Sequence, residues 1–135
     1  MLASLPLPVV IVAAESGGER SCATATATYV SFDPPLLATP LRRGGRTRRL
    51  AEQSGEFTVF VLADDQAELA VRPVDGPAGC AAVFRCRVEA AGGPLLVGRV
   101  EDAVTSDREP LIRFRRRYRG LGAAIDVREE ADYPL

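Results

Sequence analysis

The chain has 135 residues, 47% hydrophobic and 26% charged, with a formal net charge of −1. A single domain of this size buries about two-thirds of its unfolded surface, so neither a disulfide nor a metal is needed to hold a core. Histidine is absent, which excludes Ser-His-Asp and Cys-His nucleophile systems and His-based zinc or haem ligation.

All 17 basic residues are arginine. Arg42, Arg43, Arg46, Arg48 and Arg49 form one cluster, and Arg113, Arg115, Arg116, Arg117 and Arg119 a second. In a nearly neutral chain this pattern argues against a dedicated duplex nucleic-acid binder and for local anion sites. Cys22, Cys80 and Cys86 lack metal-ligand spacing and read as reduced thiols. The apolar run Leu2–Ala14 has no preceding basic residue and contains Pro6 and Pro8, so it does not read as a signal peptide. No segment approaches the ~20 apolar residues of a membrane span. A cytoplasmic protein without nucleic-acid or membrane partners is expected.

In chain order, Pro8–Ala14 is a β-branched run closed by Ser16-Gly17-Gly18 and predicts a buried strand. Ala23–Phe32 predicts a second strand. Its alternation places Thr24, Thr26, Thr28, Val30 and Phe32 on one inward or cleft-facing row. Asp33-Pro34-Pro35 ends it, because neither proline can donate to a ladder. Leu36–Leu41 is a further strand, and a basic turn then leads into a short helix from about Thr47 to Ser54. Thr47 is suited to cap that helix and Gly55 to end it. Phe57–Leu62 predicts a strand, and Asp64 or Asp65 is suited to cap a second helix through Ala70. Val71–Gly79 reads as a loop. Ala81–Val88, Leu95–Val104 and Leu111–Tyr118 complete about seven strands. Without a long helix for parallel crossovers, the sheet is expected to be antiparallel and to close, or nearly close, into a barrel. Residues 123–135 read as an acidic tail following a domain over 1–122.

Three stretches carry possible chemistry. In Arg43–Arg49, the glycines let backbone N–H groups turn toward an anion. The helix start adds partial positive charge, Arg46 can fork two phosphate oxygens, and Thr47 can donate its hydroxyl. A solvated basic turn is the plainer reading. Thr24, Thr26 and Thr28 can border a polar cofactor edge, although threonine is also simply a good strand former. Arg113, Arg115 and Arg117 on one strand face, with Tyr118 on the other, can meet the phosphates of a dinucleotide or can be a solvated face. Cys86, between Phe84 and Val88 on one face, reads as core.

These pieces in this order resemble the flavin reductase-like family of FMN-binding split barrels. The resemblance is carried by ATATATYVSFDPPLLATPL (23–41), GRTRRLAEQSGEFTVFVLADDQAELA (45–70), AAVFRCRV (81–88), LLVGRVEDAV (95–104) and EPLIRFRRRYRGLG (109–122). It implies a mainly β fold, an antiparallel split β-barrel with two short helices. It also implies a homodimer binding FMN, or FAD, near the subunit interface, NAD(P)H as co-substrate, and a monooxygenase as possible partner. The polar flavin-side positions fall near Thr24, Thr26 and Thr28. The phosphate-binding turn falls on Gly45, Arg46 and Thr47. No catalytic residue is assigned.

Two departures keep a second reading open. Ala91-Gly92-Gly93-Pro94 stands where the family commonly carries Gly-Asp-His, and the segment between Ala70 and Ala81 is short. A barrel that carries flavin without redox turnover, or whose pocket serves another ligand or a biosynthetic cyclisation, matches those departures. A third reading, an anionic-partner module using the arginine clusters, is disfavoured by the net charge and the scarcity of aromatic residues.

Overall fold

The computed structural model describes residues 1–128. Two antiparallel sheets contain ten strands. The larger runs in the order β3-β2-β6-β7-β8-β5-β4, and comprises β2 (Val10–Ser16), β3 (Glu19–Ala25), β4 (Thr28–Ser31), β5 (Leu36–Pro40), β6 (Glu56–Val61), β7 (Ala82–Gly92) and β8 (Leu95–Thr105). The smaller sheet is β1 (Leu7–Pro8), β9 (Ile112–Phe114) and β10 (Arg117–Arg119), with β9 in the middle. Helices α1 (Arg46–Ser54) and α2 (Ala67–Val71) complete the fold, after a short 3₁₀ turn at Leu2–Ser4.

Strands β3 and β4 lie at opposite edges of the seven-stranded sheet, yet only Thr26 and Ala27 join them. A flat sheet of that width would separate its edges by roughly 29 Å at ~4.8 Å per strand. The link from Ala25 to Thr28 spans at most about 11 Å. The sheet therefore curls until its edges meet, and it closes at this seam without a β3–β4 ladder. Two side-chain bonds tie the seam. Thr26 Oγ1 donates to the Pro8 carbonyl (2.7 Å), and the fully buried Thr39 Oγ1 donates to the Thr26 carbonyl (2.8 Å).

Strand β2 separates two cores, which is why its first five residues are all buried. Val10, Val12 and Ala14 face the barrel interior with Leu37, Phe57, Val59, Cys86 and Leu96, where Leu50 and Ala51 of α1 also pack. Ile11 faces outward and, with the preceding Val9, meets Leu62, Ala70, Cys80 and Leu111 under α2 and the small sheet. Alternate side chains thus serve opposite faces, as strand geometry requires. Helix α1 stops where Gly55 adopts φ 78°, donating to the Ala51 carbonyl.

The barrel and both helices agree with the sequence reading, but several local expectations need correction. The single strand over Ala23–Phe32 is two strands, and Val30 and Phe32 are exposed rather than buried, because β4 is an edge strand beyond the seam; Phe32 and Thr28 nonetheless border a cleft. Thr47 does not cap α1; Gly45 occupies that position without a side-chain bond. Helix α2 is entered through Gln66 rather than Asp64 or Asp65, and Gln66 Oε1 accepts from the Ala63 N–H (2.9 Å). Leu111–Tyr118 is a hairpin rather than one strand, turning at Arg115 and Arg116. Arg113 and Tyr118 are therefore cross-strand partners on the same face. Among residues 123–128 there is no helix or strand, and the remainder of the predicted acidic tail lies outside the described residues.

Close packing inside the barrel makes Gly98 irreplaceable. A Cβ there would sit 2.7 Å from Cys86 Cβ and would strike Phe57 Cζ, with both side chains already in the core. Gly98→Ala is expected to lose about 1–3 kcal/mol of stability, read as a lower urea midpoint; an unchanged midpoint would contradict this packing.

Candidate functional site

One end of the barrel opens into an apolar groove of about 410 Å³. Its walls are the half-buried Val61, Phe84 and Val100 of the barrel interior, backed by the buried Val10, Val59 and Leu37. Its rim carries Thr28, Tyr29 and Phe32 from β4 and the turn after it. The Tyr29 and Phe32 rings stack with centroids 4.4 Å apart and are largely exposed, Phe32 at 66%. A concave, nearly unpolar surface with a flat aromatic rim suits a planar conjugated ligand.

Strand β5 links this groove to the first arginine cluster. Leu36 and Leu37 line the groove, and the strand's far end leads through Leu41 into Arg42–Gly45 and the start of α1. No side chain caps α1 and no acid lies in its first turn, so the Thr47 and Arg48 N–H groups have no capping acceptor and the positive end of the helix is unopposed. Arg42 and Arg43 are exposed and form no ion pair among the described residues. Arg46 Nε donates to Glu19 Oε2 (2.6 Å), as does Arg49 through its terminal nitrogen (2.9 Å). These two guanidinium groups hold the Glu19 carboxyl below the usual carboxylate range. Thr47 is buried, its hydroxyl 2.7 Å from that of Ser21 on β3.

The six candidate positions do not converge on one face. Gly45, Arg46 and Thr47 stand together at the start of α1. Thr28 borders the groove. Thr24 and Thr26 spend their hydroxyls on backbone, Thr24 Oγ1 donating to the Ala70 carbonyl (2.7 Å) and Thr26 to Pro8. Arg48 is the functional-region residue that sequence reasoning passed over. It reads as one more solvated cation of a basic run, yet it is 95% covered. It donates to Glu52 Oε1 (2.8 Å), the Leu41 carbonyl (3.0 Å) and the Gly93 carbonyl (2.7 Å). It thereby fastens the β7–β8 turn, where Ala91–Pro94 lies, to the loop entering α1. Its one legible signal was Glu52 at i+4.

The cysteines take no part. Cys86 is buried and its thiol is pushed up to about 12, first by burial and then by Glu101; burial also raises Cys22 and Cys80.

A flavin reductase like domain model matches residues 2–77, more than half of the chain. The chain belongs to the flavin reductase-like family. Among curated relatives, the reductase component of 4-hydroxyphenylacetate 3-monooxygenase from Thermus thermophilus is 36% identical over 137 residues, covering 89% of this chain and 92% of the relative. The styrene monooxygenase flavin reductase of Pseudomonas putida S12 superposes with a TM-score of 0.80 at 25% identity, over 92% of this chain and 96% of that one. BorF, the flavin reductase component of a bacterial two-component tryptophan halogenase, gives 0.79 at 25% identity, over 91% and 95%. The split barrel expected from the resemblance is therefore the fold found, and the groove is the open end of that barrel.

Two outcomes follow from the site's construction. Arg48→Met keeps the aliphatic stem but strands two carbonyls, and is expected to cost about 2–4 kcal/mol, measured by urea denaturation. A loss below roughly 0.5 kcal/mol would mean the guanidinium bonds are replaceable by water. In the native protein, thiol reagents at neutral pH are expected to label the half-buried Cys22 first and Cys86 only on unfolding, because the thiolate is the reactive form. Cys86 labelling at the Cys22 rate would contradict its burial.

Proposed function

We propose that this protein is a flavin reductase: it oxidises NAD(P)H and reduces FMN, with FAD accepted in the same groove, as the reductase partner of a monooxygenase. The observation that carries the reading is the apolar groove joined by β5 to an uncapped, arginine-flanked helix start. An aromatic ring system and a phosphate, the two ends of a flavin nucleotide, meet complementary chemistry at the two ends of one strand. Family membership and the 36% identical reductase component support it.

The site's residues fit that cofactor. Val61, Phe84 and Val100 would hold the ring and exclude water, with Val59 packed behind them and Thr28 at its border. The N–H groups of Thr47 and Arg48 and the Arg46 guanidinium, kept in place through Nε by Glu19, would hold the phosphate, and Gly45 lets the chain turn close against the Arg42 carbonyl, 2.9 Å from where a Cβ would stand. Thr24 and Thr26 act one step back, Thr26 fixing the seam and Thr24 the end of α2. Bound flavin supplies the two-electron chemistry, which needs orientation and no protein nucleophile, so a chain without histidine is adequate. The exposed Tyr29 and Phe32 rings leave an apolar rim in water, and we assign it to a second copy in a homodimer. Three unpaired thiols accord with a reducing cytoplasm, and no helix of the described residues is long and apolar enough to cross a membrane.

The test is anaerobic. FMN is expected to bind, and its visible band to bleach on addition of NADH or NADPH much faster than without protein. Binding without accelerated bleaching would support the flavin-carrier reading instead, and no binding would overturn both. Light scattering is expected to give twice the chain mass, falling to the monomer in Phe32→Glu; a monomeric wild type would refute the dimer.

A further inference from the structure

The second arginine cluster lies beyond the residues matched by the family model, and neither the flavin groove nor the α1 phosphate site uses it. Strands β9 and β10 pair Ile112 with Arg119, Arg113 with Tyr118 and Phe114 with Arg117. Directly paired residues share a face, so Ile112, Phe114, Arg117 and Arg119 form one surface and Arg113 and Tyr118 the other. Arg115, at the tip, lies over the Phe114 ring at 4.8 Å. Arg115 covers that ring and Arg117 and Arg119 share its strand face, beside a concavity of about 500 Å³ lined by Phe114, Arg115, Arg117, Tyr118 and Arg119.

Two features of these arginines bear on a ligand. No ion pair among the described residues reaches positions 113–119, so five neighbouring guanidinium groups there carry no carboxylate partner. Both turn residues, Arg115 and Arg116, are held at positive φ (51° and 64°), a conformation that glycine or asparagine adopts more cheaply. The turn is pinned by the Arg115 N–H, which donates to the Ala3 carbonyl (2.7 Å). Location supplies the rest. Ile112 pairs with Pro8, and Pro8 lines the flavin groove, so the arginine face continues the sheet surface that reaches the groove. From Ile112 to the tip is about 10 Å of strand.

We infer that Phe114, Arg115, Arg117 and Arg119 bind the adenosine 2′-phosphate end of the reductant, so that NADPH is preferred over NADH. The inference rests on the reductase reading, which places a nicotinamide at the groove. A dianionic phosphomonoester matches several cations without counter-charge, and a purine on the same ribose matches the ring among them. The pyrophosphate of either dinucleotide carries no ring beside its charge, and the unphosphorylated ribose offers nothing for the surplus guanidinium groups.

Calorimetry on the flavin-free protein tests this without turnover, which separates its failure from failure of the reductase reading. The probes are ADP-ribose and its 2′-phosphate. The phosphorylated probe is expected to bind at least about tenfold more tightly, and the double variant Arg117→Gln/Arg119→Gln to abolish the difference. Arg72→Gln, an exposed charge elsewhere, is expected to leave the difference in place. If the double variant fails to fold, Arg115→Asn, better suited to positive φ, is expected to reduce the difference several-fold. In turnover, the NADPH-to-NADH ratio of kcat/KM is expected to fall by the same factor through the KM for NADPH. Equal binding of the two probes by the wild type, or a difference that survives the arginine substitutions, would overturn the assignment.

Discussion

The two-residue connection between the edge strands of the large sheet is the constraint on which the rest of the molecule depends. Thr26 and Ala27 cannot span a flat seven-stranded sheet, so the sheet must curl. Curling gives the barrel an interior, and the missing β3–β4 ladder leaves it split. The seam has little backbone pairing of its own, which gives the Thr26 and Thr39 hydroxyls their role. A hydroxyl at either position is in that sense part of the barrel's closure rather than of its surface.

From that closure the site follows with few additional parts. One end of the barrel is filled by α1, whose Leu50 and Ala51 are fully buried. The other end has no helix over it, and the same aliphatic side chains that form the core inside become the walls of a groove there. Strand β5 contributes to the groove at its start and delivers the chain to the basic helix terminus at its end. Arg48 keeps that delivery rigid. By gripping the Leu41 and Gly93 carbonyls from a buried position, it holds the loop before α1 against the β7–β8 turn. A buried cation is costly without acceptors, and here a carboxylate on Nε and two carbonyls on Nη1 offset that cost.

Much of this architecture was legible in the sequence, and the exceptions have specific causes. Helix α1 was readable because Gly55 marks its end and the basic turn its beginning. Strand existence was readable from β-branched runs bounded by glycine and proline. The break at Thr26–Ala27 was not, because Ala-Thr alternation continues across it and the cause is a closure between distant strands. The outward turn of Val30 and Phe32 follows from the same event, since apolar character alone cannot tell a core face from an exposed rim. The hairpin at Arg115–Arg116 was hidden because its turn residues lack the usual glycine or asparagine. At the proposed site, Gly45, Arg46 and Thr47 are contiguous in sequence and stand out as a motif, whereas the groove residues are scattered over several strands. Val59, Val61, Phe84 and Val100 read as ordinary core from sequence, and only their place at the open end of the barrel gives them a second role.

The most direct test of the account is a crystal structure of the protein with FMN. It is expected to show the ring against Phe84, Val61 and Val100 in the groove, with the phosphate at the N-terminus of α1 beside Arg46. A ring bound elsewhere, or a phosphate held away from α1, would contradict the claim that the open end of the barrel and the strand leaving it form the flavin site.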